Sequence, residues 1–480
     1  MKVCVLQPDY STTGVDYKNF DPPRDLAPLL PGDEVHNVFL NKLTTYRQLK
    51  ELSRQGYDIF VNLCEGYLEW EVPSIDVIYT MEILGMPFTG PTTKLYDPTK
   101  ELMKYTAFCE NVKTPGYYLI ETLDDVAVAA KNLKFPLFVK PAKAGDSLGV
   151  DDNSMVNTPE ELQKQCALIL NEYGPLLVEE YIAGREFTVL VAANPEEGQC
   201  TTFKPVEYVF PKGRTYKTYA LKTSELHPDC NFPCNDPVLE KQLRDAATKI
   251  FKGFSGVGYA RLDFRVNDKN EIYFLEINFT CSVFYKDGYE GSADFILKFD
   301  GIGQAGFLKH MIAEGIARHK RKQKSYTVKG NSISGYGIYA NRDIKTGEVI
   351  FNGEARSQRI ITRRFVEENW DEDAKLHFRR YAYPISGEVF ILWDEEPSEW
   401  APQNHCCDAN TIYDGLNVLA KTDIYKGQEL TLDYATFLDQ HMEPFDCQCG
   451  SKNCRGKISG PIDNSLTLRE VNLQRLNQPH

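Results

Sequence analysis

Over the first 95 residues, short apolar strands alternate with helical stretches, among them Val3–Leu6, Asp58–Leu63 and Ile75–Leu84. That rhythm reads as a small parallel α/β unit. From Pro98 to Leu308 the pattern is mixed. It predicts helices over Lys100–Glu110 and Glu160–Asn171, strands over Pro136–Pro141 and Leu176–Ile182, and two strands around Asn267–Asn270. The run from Ala317 to Lys324 is polar and basic and reads as a linker; a nuclear-localisation patch is the sharper reading of the same charges, and a solvated helix end is favoured over it. Beyond it, short strands spaced by Gly, Asp and Asn turns suggest a β-rich domain. The expected order is an amino-terminal α/β unit (1–95), a mixed α/β region (96–317), a basic linker (318–328), a β-rich domain (329–440) and a carboxyl-terminal segment (441–480).

The 480 residues exceed one ordinary core, and 42% hydrophobic with 25% charged residues is the balance of globular domains. No apolar run approaches the roughly 20 residues of a membrane span. The opening strand Met1–Leu6 is too short for a signal-peptide core, so the expectation is an intracellular protein, cytoplasmic or nuclear, with no membrane partner. Net charge is −14, with 37 basic and 45 acidic residues through position 324 and 17 and 23 beyond it. Both halves are acidic, which argues against direct nucleic-acid binding. An acidic surface does attract basic peptides, and the acidic run Asp394–Glu399, flanked by Trp393 and Trp400, is a candidate rim for one.

Thirteen cysteines without a secretory signal argue against a disulfide framework. Cys64, Cys109, Cys166 and Cys200 are scattered and read as small hydrophobes. Cys406, Cys407, Cys447, Cys449 and Cys454 are clustered, and Cys447-x-Cys449-x4-Cys454 plus one distant cysteine suits four-coordinate structural Zn²⁺.

Two alternating runs, Tyr259–Val266 and Glu271–Asn278, flank a polar turn and predict a hairpin. With Val266 opposite Glu271, Arg261 falls opposite Glu276 and Asp263 opposite Phe274. Arg261, Asp263, Glu276 and Asn278 then share one face, while Leu262, Phe264, Val266, Tyr273, Leu275 and Ile277 share the other. Oxygen-bearing Asp263, Glu276 and Asn278 suit a hard cation such as Mg²⁺ shared with phosphates. A solvated side of an antiparallel sheet would show the same pattern. Phe135–Pro141 is a buried strand bearing Lys140, followed by the glycine-containing loop Ala142–Val150, whose backbone amides can approach phosphates. Leu176–Ile182 then precedes Gly184–Val189, where strand-edge amides could meet a base and Glu186 a ribose.

The order of these pieces resembles the ATP-grasp superfamily, most closely its D-alanine–D-alanine ligase branch, over about residues 95–300. The resemblance implies an ATP-grasp fold and ATP with Mg²⁺ as cofactors. Lys100 and Lys140 would hold phosphates, with Gly145, Ser147 and Gly149 in a lid loop and Lys222 touching phosphate. Glu179, Glu180, Ile182 and Glu186 would bind the nucleoside. Asp263, Glu276 and Asn278 would ligate Mg²⁺, and Arg261 would stabilise an oxyanion. The chain departs from that branch on the acceptor side. Gln7–Thr13 stands in place of a Gly-rich acidic loop, Cys64–Glu71 in place of a His-Gly…Gly-Glu-Asp-Gly stretch, and Phe279–Val283 in place of Pro-Gly-Met-Thr. The implied substrates are a small-molecule carboxylate and amine other than D-alanine.

Residues 326–460 resemble SET methyltransferases with a post-SET segment. Gly335-Tyr336-Gly337 matches the cofactor loop, Asn404–Asn410 the Asn-His-Ser-Cys-x-Pro-Asn block, and Glu429–Tyr434 the Glu-Leu-Thr-x-Asp-Tyr block. Cys406 and Ala409 are substitutions within the second block. The resemblance implies a SET β-fold with S-adenosylmethionine as cofactor, bound through Gly335, Tyr336, Gly337, Asn404 and His405. Cys407, Cys447, Cys449 and Cys454 would hold Zn²⁺, and Tyr434 would line the reaction centre. Phe351 stands where a tyrosine is usual, which bears on the number of methyl groups added.

The expectation is a bifunctional enzyme, a carboxylate–amine ligase joined to a lysine methyltransferase acting on a lysine-containing protein or peptide. The alternative leaves only the SET half catalytic, with the ATP-grasp half a nucleotide- or ligand-binding recruitment module.

Overall fold

The computed structural model describes residues 1–13, 21–65, 71–142, 149–216, 228–331, 334–355, 359–392, 403–439 and 443–460. The chain forms two compact units, Met1–Lys322 and Gln323–His480.

In the first unit, β1 (Lys2–Pro8), β2 (Glu34–Leu40) and β3 (Ile59–Asn62) form a parallel sheet in the order β2-β1-β3. An antiparallel sheet follows, ordered β4-β7-β5-β6, from β4 (Tyr117–Ile120), β5 (Leu137–Pro141), β6 (Met155–Val156) and β7 (Leu176–Glu180). A larger antiparallel sheet runs β11-β10-β8-β12-β13, with β9 beside β8. Its strands are β8 (Arg185–Ala193), β9 (Cys200–Thr202), β10 (Val206–Tyr208), β11 (Asn231–Pro233), β12 (Tyr259–Val266) and β13 (Ile272–Asn278).

One core joins Val3, Val5, Ile59 and Val61 of the parallel sheet to Leu190, Ala192 and Tyr259 of the large sheet and to Phe307 and Met311 of the helix Gly303–Lys322. The opposite face of β8 and β12 packs on the helix Pro237–Gly253 through Leu239, Leu243, Ala247 and Ile250. Each fully buried Val, Leu, Ile, Phe or Met side chain among them contributes roughly 1.5–3 kcal/mol of transfer free energy.

Through Lys322 the basic run is the helix end weighed for it and not a linker. The helix continues to Lys322, because Arg318 turns inward, ion-paired with Glu314 and bonded to the Phe88 and Gly90 carbonyls. The hairpin also differs from expectation. Val266 pairs with Ile272, Asp263 with Glu276 and Arg261 with Asn278, and the register shifts between Asp263 and Phe264. The loop is one residue longer than expected and Leu275 is the extra residue of a β-bulge. The bulge inverts the alternation, so Phe274 enters the core while Tyr273 and Leu275 are only half-buried.

In the second unit, β14 (Tyr326–Asn331) pairs with β15 (Gly335–Ala340), and β16 (Val349–Phe351), β22 (Asn417–Ala420) and β21 (Thr411–Asp414) form a second sheet. A third sheet is ordered β17 (Arg359–Thr362), β19 (Val389–Leu392), β18 (Tyr383–Pro384). The short strands β20 (Asn404–His405) and β23 (Thr431–Leu432) run parallel, and β24 (Phe445–Asp446) pairs with β25 (Lys457–Ile458). No helix of the described residues is long and apolar enough to cross a membrane.

Candidate functional site

In the first unit the bulged hairpin gathers Arg261, Asp263, Glu276 and Asn278 on one half-buried face. Asp263 accepts from Arg261 Nε and Nη2, each at 3.1 Å, and from the Thr188 hydroxyl at 2.8 Å. Asn278 reaches Glu276 only at 3.5 Å.

Facing the metal-type residues is a group of lysines. The Thr99 hydroxyl caps the helix Lys100–Cys109, accepting from Leu102 N at 3.2 Å. Lys100 and Lys104, one turn apart on that helix, are both buried. Lys104 Nζ donates to the carbonyl of the bulge residue Leu275 at 3.3 Å and ion-pairs with Glu179. The other Glu179 oxygen meets Lys140 Nζ at 2.5 Å. Phe138 on β5 is directly opposite Glu179 on β7, so Lys140 is its diagonal neighbour on the same face. Burial opposes the charged form of Glu179, but Lys104 and Lys140 override it and hold the carboxyl down at about 2. Burial pushes Lys100 down against the attraction of Glu276. Lys100, Lys104 and Lys140 thus bring three ammonium groups together, with Glu179, Glu276 and Asp97 acting on them. A lysine-rich group of this kind suits a polyphosphate. Sequence reasoning missed Lys104; its i+4 spacing from Lys100 was the available signal.

The other residues expected at the nucleotide are more dispersed. Glu180 points away from Glu179, accepting from Lys134 N at 3.0 Å. Ile182 is half-buried in the hinge after β7, and Glu186 pairs with the buried Arg265 at 3.1 Å. Gly149 has φ +73°, and a side chain there would meet Pro141 Cγ at 2.6 Å. Gly145, Ser147 and Lys222 lie outside the described residues.

In the second unit the parallel pairing of β20 with β23 aligns Asn404 with Thr431 and His405 with Leu432, joining two of the sequence blocks. A bridge between Tyr339 and Glu429 adds the glycine loop. Asn404 Nδ2 donates to the Tyr336 carbonyl at 2.7 Å and to Glu429 Oε1 at 2.8 Å, and Asn331 also donates to Glu429. A side chain at Gly337 would collide with Glu429. Gly335, with φ +84°, and Tyr336 are exposed. The His405 ring is turned to Tyr434 and Cys407.

Tyr434 donates its hydroxyl to the Gln403 carbonyl, which leaves the phenol oxygen's lone pairs to accept. Around it stand Tyr413, Phe437 and the buried Phe351, with Tyr383 stacked on Phe437 at 5.9 Å and tilted over Tyr413 at 4.8 Å. Burial pushes Tyr383, Tyr413 and Tyr434 upward, so these phenols stay protonated. Tyr383, Tyr413 and Phe437 were not among the residues expected from sequence, because lone aromatics carry no motif. The acidic run Asp394–Glu399 and its flanking Trp393 and Trp400 lie outside the described residues.

The ligand sulfurs of Cys407, Cys447, Cys449 and Cys454 all lie within 4.8 Å of one another, and all thirteen cysteines are free thiols. Cys407 and Cys447 are 3.8 Å apart, the edge of a tetrahedron whose sulfurs sit about 2.3 Å from a central Zn²⁺. Cys407 Sγ also accepts from Arg455 N at 3.4 Å. The donor set therefore fits zinc.

Comparison with known proteins agrees with both units. Residues 117–283 match the family model of the D-ala D-ala ligase C-terminus, and residues 335–435 match that of the SET domain. A D-alanine–D-alanine ligase of Aquifex aeolicus is 31% identical over 200 residues, 41% of this chain and 64% of that protein. One from Bordetella petrii is 27% identical over 276 residues, 55% of this chain and 81% of that protein. The solved D-alanine–D-alanine ligase from Coxiella burnetii shares the fold, with a TM-score of 0.50 at 17% identity over 68% of this chain and 97% of that one. The chain therefore carries an ATP-grasp domain of the D-alanine–D-alanine ligase type, followed by a SET domain.

Proposed function

We propose that the first unit is an ATP- and Mg²⁺-dependent carboxylate–amine ligase and the second an S-adenosylmethionine-dependent lysine methyltransferase clasped by zinc. The observation that carries the ligase half is the group of three lysines, Lys100 and Lys104 buried and Lys140 held on Glu179, beside an oxygen-bearing hairpin face. Bound ATP would supply the phosphoryl group that activates a small-molecule carboxylate for attack by an amine. Lys100 and Lys140 hold phosphate oxygens, and Lys104 fixes Lys140 through Glu179. Glu276, Asn278 and Asp263 would offer oxygens to Mg²⁺, Arg261 would stabilise an oxyanion, and Ile182 and Glu186 would bind the nucleoside. Phe279–Val283 and Gln7–Thr13 replace the acceptor-side motifs of the ligases, so the acceptor differs from D-alanine.

In the second unit, bound S-adenosylmethionine would supply an electrophilic methyl group. Gly335, Tyr336, Gly337 and Asn404 shape its loop. The aromatic group around Tyr434 excludes water, and the Tyr434 oxygen accepts an N–H of the substrate lysine, aligning its lone pair for in-line transfer. The methyl acceptor is a lysine-containing protein or peptide. Cys407, Cys447, Cys449 and Cys454 hold the zinc.

One observation favours a second reading, in which the first unit only binds and recruits. Both Asp263 oxygens already face Arg261. The two readings part on Glu276→Gln. Loss of Mg²⁺-dependent ADP release across a panel of amino acids, with methyl transfer intact, supports the ligase. ATP turnover that survives the substitution refutes this assignment of the hairpin face.

A further inference from the structure

The His405 side chain is only 4% exposed, packed edge-on against Tyr434 and Phe445 with ring centroids 5.5 Å away in each case. Both ring nitrogens are engaged. Nδ1 lies 3.1 Å from the Tyr434 backbone nitrogen, and Nε2 lies 3.4 Å from Cys407 Sγ. A backbone amide can only donate, so Nδ1 is the accepting nitrogen and the ring proton sits on Nε2. Nε2–H then donates to Cys407 Sγ, and the sulfur is the acceptor. That same sulfur accepts from the Arg455 amide at 3.4 Å. Two N–H donors converging on one sulfur of a four-cysteine cluster is the surrounding of a metal-bound thiolate. Four thiolates around one divalent ion leave a net charge of about −2, and N–H donors to sulfur offset part of it.

We propose that His405 is a positioning residue coupling the zinc clasp to the methyl-transfer centre, its Nε2–H fixed on the Cys407 thiolate and its Nδ1 on the Tyr434 amide. The inference rests on the zinc and methyltransferase readings above. A planar ring held at both nitrogens transmits position. Where Cys407 is anchored sets the ring, and the ring sets the Tyr434 backbone and thus its phenol oxygen. Metal binding by segment 443–460 thereby orders a residue of the reaction centre.

The test uses the zinc-loaded full chain and two substitutions that separate the contacts. His405→Asn keeps a short acceptor for the Tyr434 amide but cannot reach Cys407. His405→Gln keeps a donor that reaches Cys407 but loses the Nδ1 acceptor. Zinc release to a colour-forming chelator is expected to be about tenfold faster in His405→Asn and within about twofold of wild type in His405→Gln. In cobalt-substituted protein, the sulfur-to-metal charge-transfer band of His405→Asn should move to lower energy. In His405→Gln, kcat for methyl transfer should fall while KM for S-adenosylmethionine holds. Wild-type zinc release and an unshifted cobalt band in His405→Asn overturn the inference. So does a raised KM for S-adenosylmethionine with kcat preserved in His405→Gln, which places the ring at the cofactor. Failure of the zinc reading itself is distinguishable, because it shows in the wild-type chain as an absence of bound zinc or cobalt.

Discussion

Replacing Lys104 by methionine removes one of the two ammonium groups that bracket Glu179 while keeping most of the side-chain volume. Lys104 is 1% exposed and Glu179 4% exposed at their side chains, so solvent cannot replace the lost partner. Stranding a buried charge completely costs about 3–5 kcal/mol. Here Glu179 keeps Lys140 at 2.5 Å, so the loss is that of one charge-assisted hydrogen bond plus an orphaned Leu275 carbonyl, about 2 kcal/mol. At about 2.1 cal/mol/K of unfolding entropy per residue, the first unit, residues 1–322, should melt about 3 °C lower. The transition belonging to that unit is identified in calorimetry of the full chain as the one that MgATP raises. The substitution also removes one of the three ammonium charges and leaves Glu179 to Lys140 alone, so KM for ATP should rise about tenfold, equivalent to about 1.4 kcal/mol. Combining Lys104→Met with Glu179→Gln should cost less than the sum of the single changes, since the three groups act together. An unaltered melting temperature and an unaltered KM would refute the argument. So would strict additivity.

Two further outcomes follow from the geometry. Glu179 is depressed to about 2 in the folded state, so its stabilising contribution is present above the ordinary carboxylate value of about 4.3 and is lost as pH falls toward about 2. Lys104→Met should therefore shift acid unfolding of the first unit to higher pH, and coincident acid transitions by circular dichroism would contradict this. Gly337→Ala pushes a methyl group into Glu429, which braces Asn404 and Asn331. Methyl transfer should fall at least tenfold with MgATP-dependent stabilisation of the first unit retained, and a fully active variant would show that the loop yields.

The sequence by itself determined which chemistry-bearing blocks exist and where most strands and helices run. Alternation and helical period are local properties, so the hairpin, the lysine-bearing strand β5 and the helix Lys100–Cys109 were all legible. The cysteine cluster was legible too, because three of its four members fall within eight residues. Only the tertiary structure decided the register of the hairpin. A one-residue bulge at Leu275 leaves the polar face intact but exchanges Phe274 for Tyr273 and Leu275 in the core, and no spacing rule signals a bulge. It also decided between the linker and the helix end that the sequence left open after Ala317, because Arg318 finds Glu314 and two distant carbonyls. Lys104 became part of the site through a carboxylate 75 positions away and a carbonyl 171 positions away. His405 kept its place in the motif, but its ring belongs to the thiolates, because hydrogen-bond direction is fixed by the groups that fold around a side chain.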